Sequence, residues 1–220
     1  MSLPAGQEVG LEATGHVLAG GRSSRMGTDK ALVHLDGVPL VVRALSILRD
    51  AGIDAAIAGA RSDLYGFAPA VEDAGRGPLG GICAALGVTP AELGVFLSVD
   101  MPLLPSVLVS FLLDHARRTE AAITLASVNG FAQPFPAVVA RAVLPGLQAE
   151  LQAGNDGCFS AFRAVSERAR SPLQVLPVED LVQAGQVEDP RGLPPTYWFL
   201  NVNTPHDLAR AGSLLPRAMA

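Results

Sequence analysis

Lysine is almost missing from this chain. Of its 220 residues, sixteen are Lys or Arg, and only Lys30 is a lysine. Cysteine is nearly as scarce. Cys83 and Cys158 stand far apart with no C-x-x-C pair, which argues against a disulfide framework and for buried thiols in a reducing compartment. The four histidines, His16, His34, His115 and His206, lack metal-ligand spacing, so no zinc site is expected. No apolar run reaches the roughly 18 residues of a membrane span. The opening stretch MSLPAGQEVGLEATG lacks the basic and apolar regions of a signal peptide, and residues 1–15 are expected to be a flexible extension ahead of one domain over 16–220. A net charge of −5 argues against a broad nucleic-acid surface or a polybasic membrane contact, although a short cationic loop could still hold a small anion. These absences together suggest a cytoplasmic protein.

About half of the residues (49%) are hydrophobic, which is ample for a core. There are no fixed-period repeats. His16–Ala19 reads as a short strand running into glycines. Helical spacing of Leu40, Val41, Ala44, Leu45 and Leu48 predicts a helix over Pro39–Ala51, closed by Gly52. Ile53–Ala58 reads as a second strand, and a helix is expected from about Gly81 to Leu86. The run GVFLSV, residues 94–99, has the continuous apolarity of a buried parallel strand and ends on Asp100. Further helices are expected from Pro105, over Arg141–Gly154, over Phe159–Val165 and from Pro205 with Thr204 as N-cap. Ala122–Ala126, Phe135–Val139, an edge strand at Gln174–Val178 and a last strand at Trp198–Leu200 complete the pattern. Alternation of this kind predicts an α/β fold with a mostly parallel sheet and helices on both faces. Ligands in such sheets bind beyond the carboxyl ends of the strands. Residues 18–30, 73–81, 100–105 and 201–204 all fall at such ends.

Each of these stretches carries chemistry. Residues 18–30, LAGGRSSRMGTDK, are neither a Walker A loop nor G-x-G-x-x-G. They still combine Gly20 and Gly21, which let backbone N–H groups approach a ligand, with the charges of Arg22, Arg25 and Lys30. An arginine-, alanine- and glycine-rich composition accounts for scarce lysine in general, but not for the place of the one retained. Lysine is a compact, mobile point charge and arginine a wide planar fork, so a position that follows charge onto a leaving group suits lysine. Asp100, at the end of an apolar strand, is poorly placed for a structural salt bridge and suits Mg²⁺, which needs only one or two protein carboxylates when substrate phosphates supply the rest. Asp73 precedes a glycine-rich turn. Asn201 and Asn203 flank Val202, so strand alternation would put both amides on one face, where they suit a heterocycle.

Taken in order, these pieces resemble the nucleotidyltransferase family that includes molybdenum cofactor guanylyltransferase. The matching residues are Leu18-Ala19-Gly20-Gly21, Arg25-Met26-Gly27 with Asp29-Lys30, Asp73, Gly77-Pro78-Leu79-Gly80-Gly81-Ile82, Asp100-Met101-Pro102 with Leu104-Pro105, and Asn201-Val202-Asn203-Thr204-Pro205. The resemblance implies a Rossmann-like nucleotidyltransferase fold. It implies that Leu18, Ala19, Gly20 and Gly21 contact guanine and ribose, that Lys30 contacts the phosphates, that Asp73 and Gly77 help hold the nucleotide, and that Asp100 binds Mg²⁺. Asn201 and Asn203 would lie toward the pterin. The implied reaction joins GTP to molybdenum-bearing molybdopterin, with Lys30 and Arg25 balancing charge on the departing pyrophosphate. Other fold relatives transfer a cytidylyl group to the same pterin or a nucleotide to a sugar phosphate, and an inactive nucleotide-binding module is also conceivable. Leu-Ala-Gly-Gly favours the guanylyl branch. A monomer with transient contact to molybdenum-insertion or cofactor-delivery proteins is expected. The chain departs from the family pattern at Ser98, where Pro-Cys-Asp is usual over 98–100, at Ala58–Arg61, which lacks asparagine, and at 154–158, which lacks basic residues.

Overall fold

A computed structural model describes residues 12–20, 29–59, 62–64, 66–73, 75–169, 171 and 173–215. Its elements follow the chain as β1 (Ala13–Leu18), a 3₁₀ turn (Lys30–Leu32), β2 (His34–Leu35), β3 (Val38–Pro39), α1 (Leu40–Asp50), β4 (Ala55–Ala58), β5 (Ala70–Val71) and α2 (Gly77–Val88). Then come β6 (Leu93–Ser98), α3 (Ser106–Thr119), β7 (Ile123–Val128), β8 (Phe131–Ala140), α4 (Leu144–Gln152), α5 (Cys158–Ala169), β9 (Leu173–Pro177), α6 (Val178–Gln183), α7 (Pro195–Trp198) and α8 (Pro205–Leu214).

Seven strands form one sheet in the order β5-β4-β1-β6-β8-β7-β9. Every neighbouring pair is parallel except the two made by β8, which runs against β6 and β7. The expected mostly parallel mixed sheet is therefore present. Alternation along the strands feeds two cores. Val17, Val95, Leu97 and Val138 pack on the face covered by α1 and α3, while Leu18, Phe96, Ala137 and Val139 pack on the face covered by α2, α4 and α5. Burial on both faces explains the near-continuous apolarity of β6.

Local sequence accounts for several boundaries. Helix α1 buries the residues whose spacing predicted it, and Gly52 follows with φ +76°. Thr204 caps α8, accepting from the Asp207 N–H, while the Asp207 side chain accepts from the Thr204 N–H. Other boundaries differ from expectation. Strand β1 begins at Ala13 rather than His16, inside the stretch expected to be an extension. Helix α2 starts at Gly77 rather than Gly81, because the fixed φ of Pro78 suits a first helical turn. A Cβ built on Gly81 would lie 3.0 Å from Leu18 Cδ2, so a glycine there lets α2 press close to β1. The strand expected over Trp198–Leu200 is absent. Pro195–Trp198 forms a helical turn instead, and the apolarity that suggested a strand is core packing: Trp198 is buried, with its Nε1–H donating to the Leu193 carbonyl at 2.8 Å. Among the described residues no helix is long and apolar enough to cross a membrane.

Candidate active site

The parallel strands β1, β4, β5 and β6 end on one edge, and cross-links between their last residues hold the following loops side by side. Leu18 pairs in register with Ala58 and with Ser98. Just beyond, the Ala19 N–H donates to the Ala58 carbonyl (3.2 Å), the Gly59 N–H to the Val71 carbonyl (3.0 Å) and the Val99 N–H to the Leu18 carbonyl (3.3 Å). Leu18, Ala19 and Gly20, the residues before Asp73, and Asp100 are thus brought to one edge, as predicted.

Asp73 lies between the glycine loop and α2. A Cβ built on Gly20 would be 3.7 Å from Asp73 Oδ2, and one built on Gly81 would be 3.5 Å from the same atom. Its other oxygen accepts from the Gly75 N–H at 2.9 Å, fixing the turn. Helix α2 then opens at Gly77 with no side-chain cap, so its first-turn amides and positive dipole end are presented at this edge. Such a helix start favours phosphate. Arg76, which could have covered it, instead reaches the carbonyl of Leu151 at the end of α4 (2.6 Å).

Lys30 stands on its 3₁₀ turn, capped by Asp29 Oδ1 accepting from the Ala31 N–H at 2.9 Å. Its Nζ donates to Asp100 Oδ2 at 2.8 Å and to Asn203 Oδ1 at 2.6 Å. The Lys30 and Asp100 side chains each keep only 16% of their surface exposed, so they are mostly shielded yet reachable from solvent. Asp100 does take part in a salt bridge, contrary to expectation: the 3₁₀ turn carries Lys30 across the end of β6. Asp100 has further anchors. Ser98 Oγ donates to its Oδ1 at 2.5 Å, and the Val202 N–H donates to its carbonyl at 2.8 Å.

The alternation argument for the two asparagines fails with the missing strand. Asn201 Nδ2 donates to the Phe199 carbonyl at 3.3 Å, whereas Asn203 meets Lys30. Gly21, Arg22, Arg25, Met26 and Gly27 lie outside the described residues. Sequence reasoning missed two supports. One is the hydroxyl of Ser98; its spacing of two residues from Asp100 at a strand end was the available signal. The other is the segment before α7. There the Arg191 guanidinium donates through Nε and Nη2 to the buried Asp189 carboxylate, each at 2.9 Å, and Nη2 also donates to the Leu103 carbonyl.

Asp100 provides one carboxylate, and among the described residues no cluster of three or more His, Cys, Asp or Glu is placed to hold a metal. A single acid beside a phosphate-favouring helix start fits a cation shared with substrate phosphates, not a protein cage.

A family model described as MobA-like NTP transferase domain matches residues 15–170. A probable molybdenum cofactor guanylyltransferase of Thermococcus gammatolerans is 31% identical over 207 residues, covering 89% of this chain and 97% of the relative. The molybdenum cofactor guanylyltransferase of Vibrio cholerae is 32% identical over 213 residues, covering 91% of each. Among solved structures, molybdopterin-guanine dinucleotide biosynthesis protein A of Archaeoglobus fulgidus superposes with a TM-score of 0.72 at 21% identity, over 91% of this chain and 97% of that one. At that identity the match speaks for the fold.

Proposed function

The chain belongs to the MobA-like NTP transferase family, and from that premise we infer its reaction. It is a nucleotidyltransferase that moves the GMP moiety of GTP onto the terminal phosphate of molybdenum-bearing molybdopterin, giving molybdopterin guanine dinucleotide and pyrophosphate. The observation that carries the reading is the cluster of Lys30, Asp100 and Asn203 at the sheet edge on which the uncapped start of α2 also lies.

In this reaction a phosphate oxygen of the pterin attacks the α-phosphorus of GTP. A new P–O bond forms as the bond to the β-phosphate oxygen breaks, and pyrophosphate leaves with the electron pair. The attacking oxygen is already anionic near neutral pH, so no general base is needed. Rate then comes from alignment and charge neutralisation. Lys30 neutralises charge accumulating on the leaving pyrophosphate, with Arg25 assisting. In this reading Leu18, Ala19, Gly20 and Gly21 contact the base and ribose, and Asp73 and Gly77 help hold the nucleotide. Asn203 holds the Lys30 ammonium, and in this reading Asn201 and Asn203 serve the pterin side of the site. Asp100 would hold a divalent cation, Mg²⁺ in this proposal, which would supply charge neutralisation between the two phosphorylated substrates. We place the enzyme in the cytoplasm as a monomer in transient contact with molybdenum-insertion or cofactor-delivery proteins. The thiols of Cys83 and Cys158, both buried, agree with a reducing compartment.

Asp100→Asn tests this reading. An amide is a far poorer ligand for a hard cation, so pyrophosphate release at saturating Mg²⁺ should drop by about 10²-fold or more, with the melting temperature nearly unchanged. Turnover within about threefold of the parent would remove Asp100 from the metal.

A further inference from the structure

We propose that Ser98 is a positioning residue for the metal-binding carboxylate, presenting Asp100 to the cation through one oxygen. The proposal rests on the reading of Asp100 as the cation's ligand. Its basis is the pair of donors on opposite oxygens: Ser98 Oγ on Oδ1 at 2.5 Å and Lys30 Nζ on Oδ2 at 2.8 Å.

The backbone makes the first contact specific. Ser98 is the last residue of β6, with Leu18 of β1 as its register partner, so its position is set by the sheet. Asp100 lies just beyond, where the chain has left the ladder and is held by the Val202 N–H on its carbonyl. Only Val99 lies between them, and the turn after the strand brings the carboxylate within reach of the hydroxyl, which needs no departure of Ser98 from its strand.

An ionised carboxylate has two oxygens and about four lone-pair directions. A hydroxyl bound to Oδ1 stops the group from rotating and takes up one direction on that oxygen. Oδ2 is left to serve the mobile partners, the ammonium and the cation. A hydrogen bond to the ligand also draws some electron density away from it, which by itself would weaken metal binding. Orientation is the larger effect at metal sites, where removing such a supporting partner typically costs 10–100-fold in affinity.

The experiment reads cation binding directly. Mn²⁺ is titrated into the protein with a non-hydrolysable GTP analogue, and free Mn²⁺ is followed by electron paramagnetic resonance. The parent, Ser98→Ala, Ser98→Cys, Ser98→Thr and Asp100→Asn are compared, each with its melting temperature. Ser98→Ala should bind Mn²⁺ about tenfold more weakly. Ser98→Cys keeps the size but offers only a weak donor, and should fall with the alanine variant, so the comparison does not depend on one variant folding. Ser98→Thr restores the hydroxyl and should stay within about twofold of the parent. In turnover, added metal should recover kcat for Ser98→Ala, as expected if the loss is in metal affinity. If the alanine and cysteine variants bind like the parent while Asp100→Asn does not, the role of Ser98 is overturned and Asp100 remains the ligand. A threonine variant as weak as alanine overturns it too. If Asp100→Asn itself binds like the parent, the reading of Asp100 fails, and this proposal with it.

Discussion

At the scale of a residue, Lys30 is defined by what an ammonium can do and a guanidinium cannot. Its single nitrogen donates to two oxygens on different elements, at 2.8 and 2.6 Å. A planar fork carries its donors at fixed spacing and needs more room. Lys30→Arg should therefore lose turnover almost as severely as Lys30→Ala, by about 10²-fold. Melting temperatures should move by no more than roughly 4 °C, since solvent can still reach Asp100 and the Ser98 hydroxyl still donates to it once the ammonium is gone. Pyrophosphate release and a thermal melt on the same samples check both halves; a near-normal arginine variant would leave the lone lysine without special meaning. Lys30 was legible in the sequence because composition made it an outlier and glycines surrounded it. Ser98 was visible only as a departure from the family pattern. Its significance comes from a hydroxyl turned toward a carboxylate two residues away, and serine is too common for its presence alone to announce that.

Between α6 and α8 the chain works as a strap over the loop after β6. Val187 and Trp198 anchor it in the core, the Arg191 guanidinium reaches the Leu103 carbonyl, and the Val202 N–H reaches the Asp100 carbonyl. Asp189 is 4% exposed, and Arg191 is its ionic partner. Removing the guanidinium leaves a buried carboxylate with only backbone N–H support, typically worth about 3–5 kcal/mol. Arg191→Met should lower the melting temperature by roughly 10 °C in a chain of this size. Asp189→Leu combined with Arg191→Met should recover part of the loss, because no charge is then buried without its partner. A single variant melting within about 2 °C of the parent would show that the pair does not hold the strap. The strap was hard to read because its order comes from tertiary contacts. A proline-rich run with isolated apolar residues has neither a helical nor a strand period, and Trp198–Leu200 imitated a strand for that reason. Helix α1 and strand β6 were readable because their own periodicity matches the surface they bury.

For the whole molecule, strand polarity was legible in outline and strand order was not. Alternating strands and helices implied a mostly parallel sheet, and the structure has one, with Leu18, Ala58, Val71 and Ser98 ending their strands on one edge. The pairing of β8 with β7 is a local hairpin closed by Asn129 and Gly130, both at positive φ, but its pairing with β6 joins residues 93–96 to 137–140, a contact remote in sequence that no local pattern encodes. The central position of β1 also bears on pH. His16 sits there between β4 and β6, 3% exposed and stacked on Phe96 with ring centroids 5.4 Å apart. Burial lowers its pKa from 6.5 to about 4. The unfolded chain takes up this proton near pH 6.5 and the folded chain only near pH 4, so between those values the unfolded state binds more protons. Stability should fall as pH drops through that window, and the contribution of His16 should be constant above it. The loss from this one group should reach roughly 2 kcal/mol by pH 5. His16→Leu removes the titration while keeping an apolar side chain, so its stability should be flatter from pH 7 to 5 even if it is lower at neutral pH. Urea unfolding of both chains across that range measures the difference. If the two curves run parallel, the pH dependence arises elsewhere and His16 is either protonated inside the fold or already solvated.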